Sequence, residues 1–171
     1  FTGGGNPPMS TGDKMDCLRM GLAFCAMITA TAAIAAPSTY VNDRFGTVCT
    51  FPDEIFTERQ PEPENGDGQK WLTADGASLI CSGIFNADDE TPKGFVASEK
   101  ASTEPNYKVT YSKTGKNWAI LSGLKGDHVF YERRLFGKDG VIRTVWIEYP
   151  SSLKSKYDPL VGAIAASLKG P

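Results

Sequence analysis

Between Tyr107 and Tyr149 the chain carries four β-type runs with almost nothing between them. Tyr107, Val109 and Tyr111 alternate in YKVTYS, Trp118 and Ile120 do so in NWAIL, and HVFYERRLF and VIRTVWIEY follow. The turns at Lys125-Gly126-Asp127 and Lys138-Asp139-Gly140 are too short for a crossover helix, so the strands they join must be antiparallel. Whatever else the chain does, it builds on a β-meander.

Upstream, RFGTVCTFP reads as a first strand that Pro52 ends, because proline cannot donate to a ladder. DEIF reads as a turn, and TERQPEPENGDGQ as a connection whose Pro and Gly content prevents regular structure. KWLTADGASLICSGIFN has the form of a hairpin, with Trp71 to Thr73, a turn at Ala74-Asp75-Gly76, and a longer strand to Phe85. Thr91 as cap and Pro92 at the first helical position predict a short helix. Asp88, Asp89 and Glu90 precede it, where negative charge favours the helix dipole.

At the end of the chain, DPLVGAIAASLKG changes period: Leu160, Ile164 and Leu168 recur four apart. Asp158 is the expected N-cap, Pro159 the first helical residue, and Lys169-Gly170 the stop. An apolar helix stripe has to be covered, and the meander is its nearest partner. The expected fold class is α+β: an antiparallel β-sheet of about five to seven strands with a short helix and a C-terminal helix packed on it.

The first residues read differently. Lys14 and Arg19 precede an apolar stretch from Met20 to about Ile34 that ends in Ala33-Ile34-Ala35, Ala36 and Pro37. This is the charged, apolar and small-residue order of a secretory signal peptide, and it is shorter than the roughly 20 apolar residues a membrane span requires. The reading divides the chain into 1–14, upstream sequence or an extension of the charged region, with Met9 or Met15 as start; 15–35, signal peptide; and 36–171, one α+β domain. Cleavage near Ala35 predicts a periplasmic or secreted protein with no membrane span after cleavage. Phe24 before Cys25, early in the apolar run, argues against a lipid anchor.

Apolar residues make up 40% of the chain and charged residues 22%, the profile of a packed globule. A net charge of -2 gives no footprint for a nucleic-acid backbone. Cys17 and Cys25 leave with the leader, so Cys49 and Cys81 remain. Alternation places Phe45, Cys49 and Phe51 on one side of their run, and Leu79, Cys81 and Phe85 on one side of theirs. If those strands are neighbours, a disulfide closing about 30 residues stabilises by roughly 3 to 4 kcal/mol in the chain-entropy model. Two buried free thiols acting as small hydrophobes are the equal alternative.

The densest group of potential ligands is PEPENGDGQKW, residues 61–71. A calcium loop needs oxygens at alternate positions, Gly sixth and a closing Glu. Setting Gly68 sixth puts Pro63 first and Ala74 last, and Gly66 puts Pro61 first; the register fails. Glu62, Glu64 and Asp67 are left as an irregular weak cation site at most, with a solvated connection the plainer reading. His128 is the only histidine, which excludes a multi-histidine zinc site. It follows a Gly-Asp turn, no G-x-S-x-G elbow exists, and an edge histidine is the plain reading. No phosphate loop or dinucleotide fingerprint is present, so no cofactor, metal or catalytic residue is expected. Arg133 and Arg134 are adjacent in a strand and must point to opposite faces, one of them to solvent or to a groove between sheet and helix. Trp71, Trp118 and Trp146 read as core or half-buried sheet residues rather than a sugar-stacking platform.

Together RFG, FPDEIF, PENGDG, ADGASL, KNWAILSG, GDHVFYER, IEYP and YDPLVGAIAASL make the chain resemble small exported alphaproteobacterial proteins with the PsbP-like, DcrB-type fold. That resemblance implies a sheet between helices and a non-catalytic binding or assembly role, and it brings no catalytic residue with it. The expectation is a monomer that is not an enzyme, meeting an unknown protein partner or small ligand in the cell envelope on a sheet face or at the sheet-helix groove. The alternatives are an envelope hydrolase with a site near His128 and a weak cation-binding protein using residues 62–67.

Overall fold

The computed structural model describes residues 36–171. Residues 1–14 and the signal peptide expected at 15–35 lie outside the described residues. In chain order the elements are β1 (Ser38–Val41), β2 (Val48–Phe51), β3 (Glu58–Arg59), β4 (Gly68–Leu72), β5 (Ser78–Phe85), α1 (Pro92–Lys100), β6 (Tyr107–Thr114), β7 (Trp118–Lys125), β8 (His128–Phe136), β9 (Val141–Pro150) and α2 (Lys154–Ser167), the last entered through a 3-10 turn at Ser151–Leu153.

The meander forms as the short turns require. Gly126 and Gly140 take positive φ, 61° and 71°, in the two tight turns, a conformation that costs glycine least. β6 to β9 pair in sequence, and β9 then pairs with β5, giving a seven-stranded antiparallel sheet in the order β3-β4-β5-β9-β8-β7-β6. β1 and β2 form a separate two-stranded sheet.

Strand alternation sends side chains to two faces, and each face has its own core. On one side α2 and β2 cover Leu79, Cys81, Val145, Ile147 and Tyr149. On the other α1 lies over β6 and β7, and Phe95 joins Ala119, Leu121 and Phe130. Phe130 is stacked between Tyr107 and Trp146, with ring centroids 4.9 and 5.0 Å away. Thr91 caps α1 as expected, its hydroxyl accepting from the Gly94 amide at 3.1 Å.

Several expectations are corrected. Only Val48–Phe51 of RFGTVCTFP is strand, because the chain turns at Gly46, φ 62°. The Ser38–Val41 strand has no counterpart in the sequence reading, being too short for alternation to register. The presumed irregular connection contributes β3 and the start of β4: Gly68 can pair with Ser82 because a Cβ there would lie 2.4 Å from the Cys81 carbonyl. α2 starts four residues before Asp158, with Pro159 inside it. Tyr157, fully buried, fixes that start: its hydroxyl donates to Asp75 Oδ1 at 2.6 Å, so the tertiary anchor outweighs the amide that Pro159 lacks. At the other end Lys169 exchanges two 3.0 Å backbone bonds with Val48 instead of closing a helix.

Cys49 and Cys81 meet with sulfurs at bonding distance, 2.18 Å, and both are fully buried. The neighbouring-strand condition under which a bridge was expected is not met; β2 and β5 belong to different sheets, and the cysteines meet across the layers.

Candidate functional site

The outer strands β6, β7 and β8 have one face closed by α1 and one left partly open. α2 packs over β2, β9 and β8, and beyond it the sheet surface carries Tyr111, Trp118, Ile120, Ser122, Tyr131 and Arg133. Tyr111 is 51% exposed and Leu124, at the end of the same face, 40%.

A β-bulge decides part of this surface. Tyr107, Val109 and Tyr111 were expected to share a face, but the register shifts between Val109, opposite Gly123, and Tyr111, opposite Ser122. The extra residue, Thr110, turns Tyr111 to the other side of the sheet. Gly123 permits the distortion: a Cβ there would lie 2.0 Å from the Lys108 carbonyl oxygen. Cross-strand pairing then lines up Tyr111, Ser122, Tyr131 and Ile147, and in the next row Lys113, Ile120, Arg133 and Val145.

Arg133 and Arg134 do point to opposite faces. Arg134 is enclosed on the α1 side, where Nε donates to Glu132 Oε1 at 2.6 Å, Nη1 donates to Glu90 Oε2 at 3.3 Å, and Cζ lies 3.7 Å from the Phe95 ring centroid. Burial pushes the Glu132 carboxyl above its ordinary range despite the adjacent Arg134 charge. Arg143, on the α2 side, is also satisfied: it donates to the Phe45 carbonyl at 2.7 and 3.0 Å and pairs with Asp139. Arg133 is the exception. It is half-buried, Cζ lies 5.8 Å from the Trp118 ring centroid, and Nε, shielded from solvent, has no hydrogen-bond partner among the described residues.

Two clefts border this surface, one of them against α2. One, of about 300 Å³, is bounded by Ser122, Tyr131, Tyr149 and the α2 residues Asp158 and Val161. The other, of about 460 Å³, lies past Leu135 between Asp139, Arg143 and Pro171. Tyr131 and Leu135, which reach these two clefts, are the same-face neighbours of Arg133 along β8. Burial, joined by the Asp158 carboxylate that accepts from the Tyr149 hydroxyl at 2.7 Å at the first cleft, drives that phenol far above its usual range. α2 is anchored by Asp75, which Lys156, Thr73 and Tyr157 together hold well below the usual carboxylate range.

The residues singled out from sequence lie elsewhere. His128 starts β8 with Nδ1 2.8 Å from Asp127 Oδ1, on an exposed turn and on the α1 side of the strand. In the acidic loop the carboxylates diverge: Glu62 lies 4.0 Å from Arg59, and Asp67 accepts from the Asn65 amide at 2.8 Å. The loop carbonyls are used too, Gly66 O accepting from Asn42 at 2.9 Å and Asn65 O from Arg44. Among the described residues no group of three or more His, Cys, Asp or Glu side chains is placed to hold a metal ion. Trp71 packs edge-on to Tyr40 and against Phe51, Trp146 stacks on Phe130, and Trp118 alone stands half-buried beside the open face. A further cleft of about 420 Å³ between β1 and β3 is walled by Phe51, Phe56 and Trp71, all buried, so their rings are already spent on the core.

The Arg133 surface was half legible: adjacent arginines in a strand must diverge, but which of them lies under α1 depends on where α1 docks. The bulge had one local trace, a glycine inside the apolar run of β7.

No protein-family model and no curated protein matches the sequence. Solved structures do match. The Ran-binding protein Mog1p of Saccharomyces cerevisiae is similar with TM-score 0.54 and 10% identity over 78% of this chain and 95% of that one. Cyanobacterial PsbP (CyanoP) from Synechocystis sp. PCC 6803 is similar with TM-score 0.51 and 12% identity over 82% of this chain and 96% of that one. At such identities the likeness is one of fold: the chain has the PsbP-like α+β fold. No helix among the described residues is long and apolar enough to cross a membrane.

Proposed function

We propose that this chain is an exported, non-enzymatic binding or assembly protein of the cell envelope, related to the DcrB-type proteins, and that it docks a protein partner on the open face of β6–β8 beside α2. The observation that carries this reading is the contrast in satisfaction: Arg134 and Arg143 on the same sheet are paired with carboxylates, whereas Arg133 stands among half-exposed aromatic residues with its Nε unpartnered among the described residues. A buried polar group without a partner costs stability, so retaining one at a partly exposed, aromatic surface fits a site completed by another molecule. Tyr and Trp together with Arg are also the residue types that anchor protein interfaces. Mog1p, of the same fold, is a Ran-binding protein, so the fold accommodates protein docking.

A photo-reactive residue placed at Tyr111 in the full chain, expressed in its native envelope, should yield a discrete crosslinked partner. The same residue at Ile84, 49% exposed on the opposite side of the sheet, should not. Equal crosslinking at both positions, or none at Tyr111, overturns the reading.

A further inference from the structure

We infer that the partner segment is an acidic peptide, whose carboxylates are taken by Lys108, Lys113 and Arg133 while its apolar side chains lie against Tyr111, Tyr131 and Trp118. This inference rests on the proposed docking face and names the chemistry it selects.

The charges on that face are all of one sign. Glu132 is the only carboxylate in β6, β7 and β8, and it points into the α1 side. Lys108 and Lys113 are exposed on β6, whose outer edge is unpaired because β6 ends the sheet. Arg133 shares a cross-strand row with Lys113 and Ile120. The nearby acids at either end are already engaged, Asp139 by Arg143 and Asp158 by Lys154 and Tyr149. A chain of low net charge thus concentrates uncompensated positive charge on one half-apolar surface, which steers a complementary acidic partner and penalises a basic one.

Spacing favours a peptide over a small anion. Neighbouring strands lie about 4.8 Å apart, so Arg133 and Lys113 are separated by about 10 Å across the sheet, and Lys108 lies further along β6. One phosphate or carboxylate cannot bridge that span, but several carboxylates on one extended chain can. Depth argues against a lipid surface. Arg133 sits two strands in from the edge, half-buried beside Trp118, and is reached by a chain laid across the strands rather than by a flat layer of head groups.

The test is fluorescence anisotropy with the purified full chain and two labelled peptides of equal length, one alternating Glu and Leu, the other Lys and Leu. The acidic peptide should bind at least about tenfold more tightly, with the advantage shrinking as ionic strength rises from about 0.05 to about 0.5 M. Arg133→Ala and Lys113→Glu should each weaken it about fivefold or more, while Arg133→Lys, a point charge without the two-pronged fork, should fall between. Lys93→Glu in α1 changes net charge equally on the opposite side and should leave binding unchanged. Thermal melts verify that each variant is folded. Equal affinity for the two peptides, an equal loss in Lys93→Glu and Lys113→Glu, or binding to anionic phospholipid vesicles without binding to the acidic peptide would each overturn the inference. If the Tyr111 crosslink succeeds while the peptides fail to discriminate, the docking face stands and only its acidic preference falls.

Discussion

On the α1 side of β6–β8, Phe95 is 1% exposed, Phe130 lies in a stack of three rings, and the charges Glu132, Arg134 and Glu90 satisfy one another. On the opposite side of the same strands, Tyr111, Leu124 and Arg133 have only part of their surface covered, and among the described residues Arg133 Nε has no partner. The strands are common to both faces; the difference is whether the chain supplies its own cover. One face is finished by folding, and the other stays partly open.

The comparison is most easily broken through its apolar residues. Phe95→Ala should destabilise by about 3 to 5 kcal/mol, since the cavity cannot be refilled beneath a nine-residue helix. Leu124→Ala on the open face should cost less than about 1 kcal/mol. Denaturant unfolding of the two variants checks this, and similar losses would mean that the open face is already covered.

The arginines give the next largest contrast. Arg134→Ala strands the buried Glu132 and should cost about 2 to 3 kcal/mol at neutral pH, less than a fully buried pair because Arg134 retains some exposure. Arg133→Leu removes an unsatisfied buried nitrogen and should not destabilise, gaining up to about 1 kcal/mol. Unfolding midpoints at neutral pH measure both.

The smallest effect is the pH dependence. Glu132, with its carboxyl raised by burial, binds its proton more strongly folded than unfolded, so its contribution falls as pH rises from the ordinary Glu range through the raised value. Asp75, held low by Lys156, Thr73 and Tyr157, works in the opposite sense: its stabilisation is present above the ordinary Asp range and is lost as pH falls below it. Melting temperature followed against pH should therefore show a shallower acid-side fall in Asp75→Asn, Asp139 with its Arg143 partner supplying part of the remainder, and a shallower decline with rising pH in Glu132→Gln.

Much of this was legible in the chain. The two turns at Gly126 and Gly140 force the meander, Thr91 and Pro92 start α1, and the apolar residues of α2 demand a sheet to cover, because hydrogen-bond geometry and side-chain period are local properties. The candidate surface was less so. Alternation assigned Tyr111 to the face of Val109, and one bulged residue reversed it. The acidic run at 62–67 drew attention by composition, yet its carboxylates diverge once Asn42 and Arg44 hold its carbonyls.

By itself the sequence determined the strand order of the meander, the α+β class and the divergence of Arg133 from Arg134, since each follows from turns and periods a few residues long. Only the tertiary structure decided that α2 begins at Lys154, that Cys49 meets Cys81 across two sheets, and that Arg133 Nε is left without a partner among the described residues. These depend on where distant elements dock, and docking is set by the summed packing of whole faces, which no local pattern encodes.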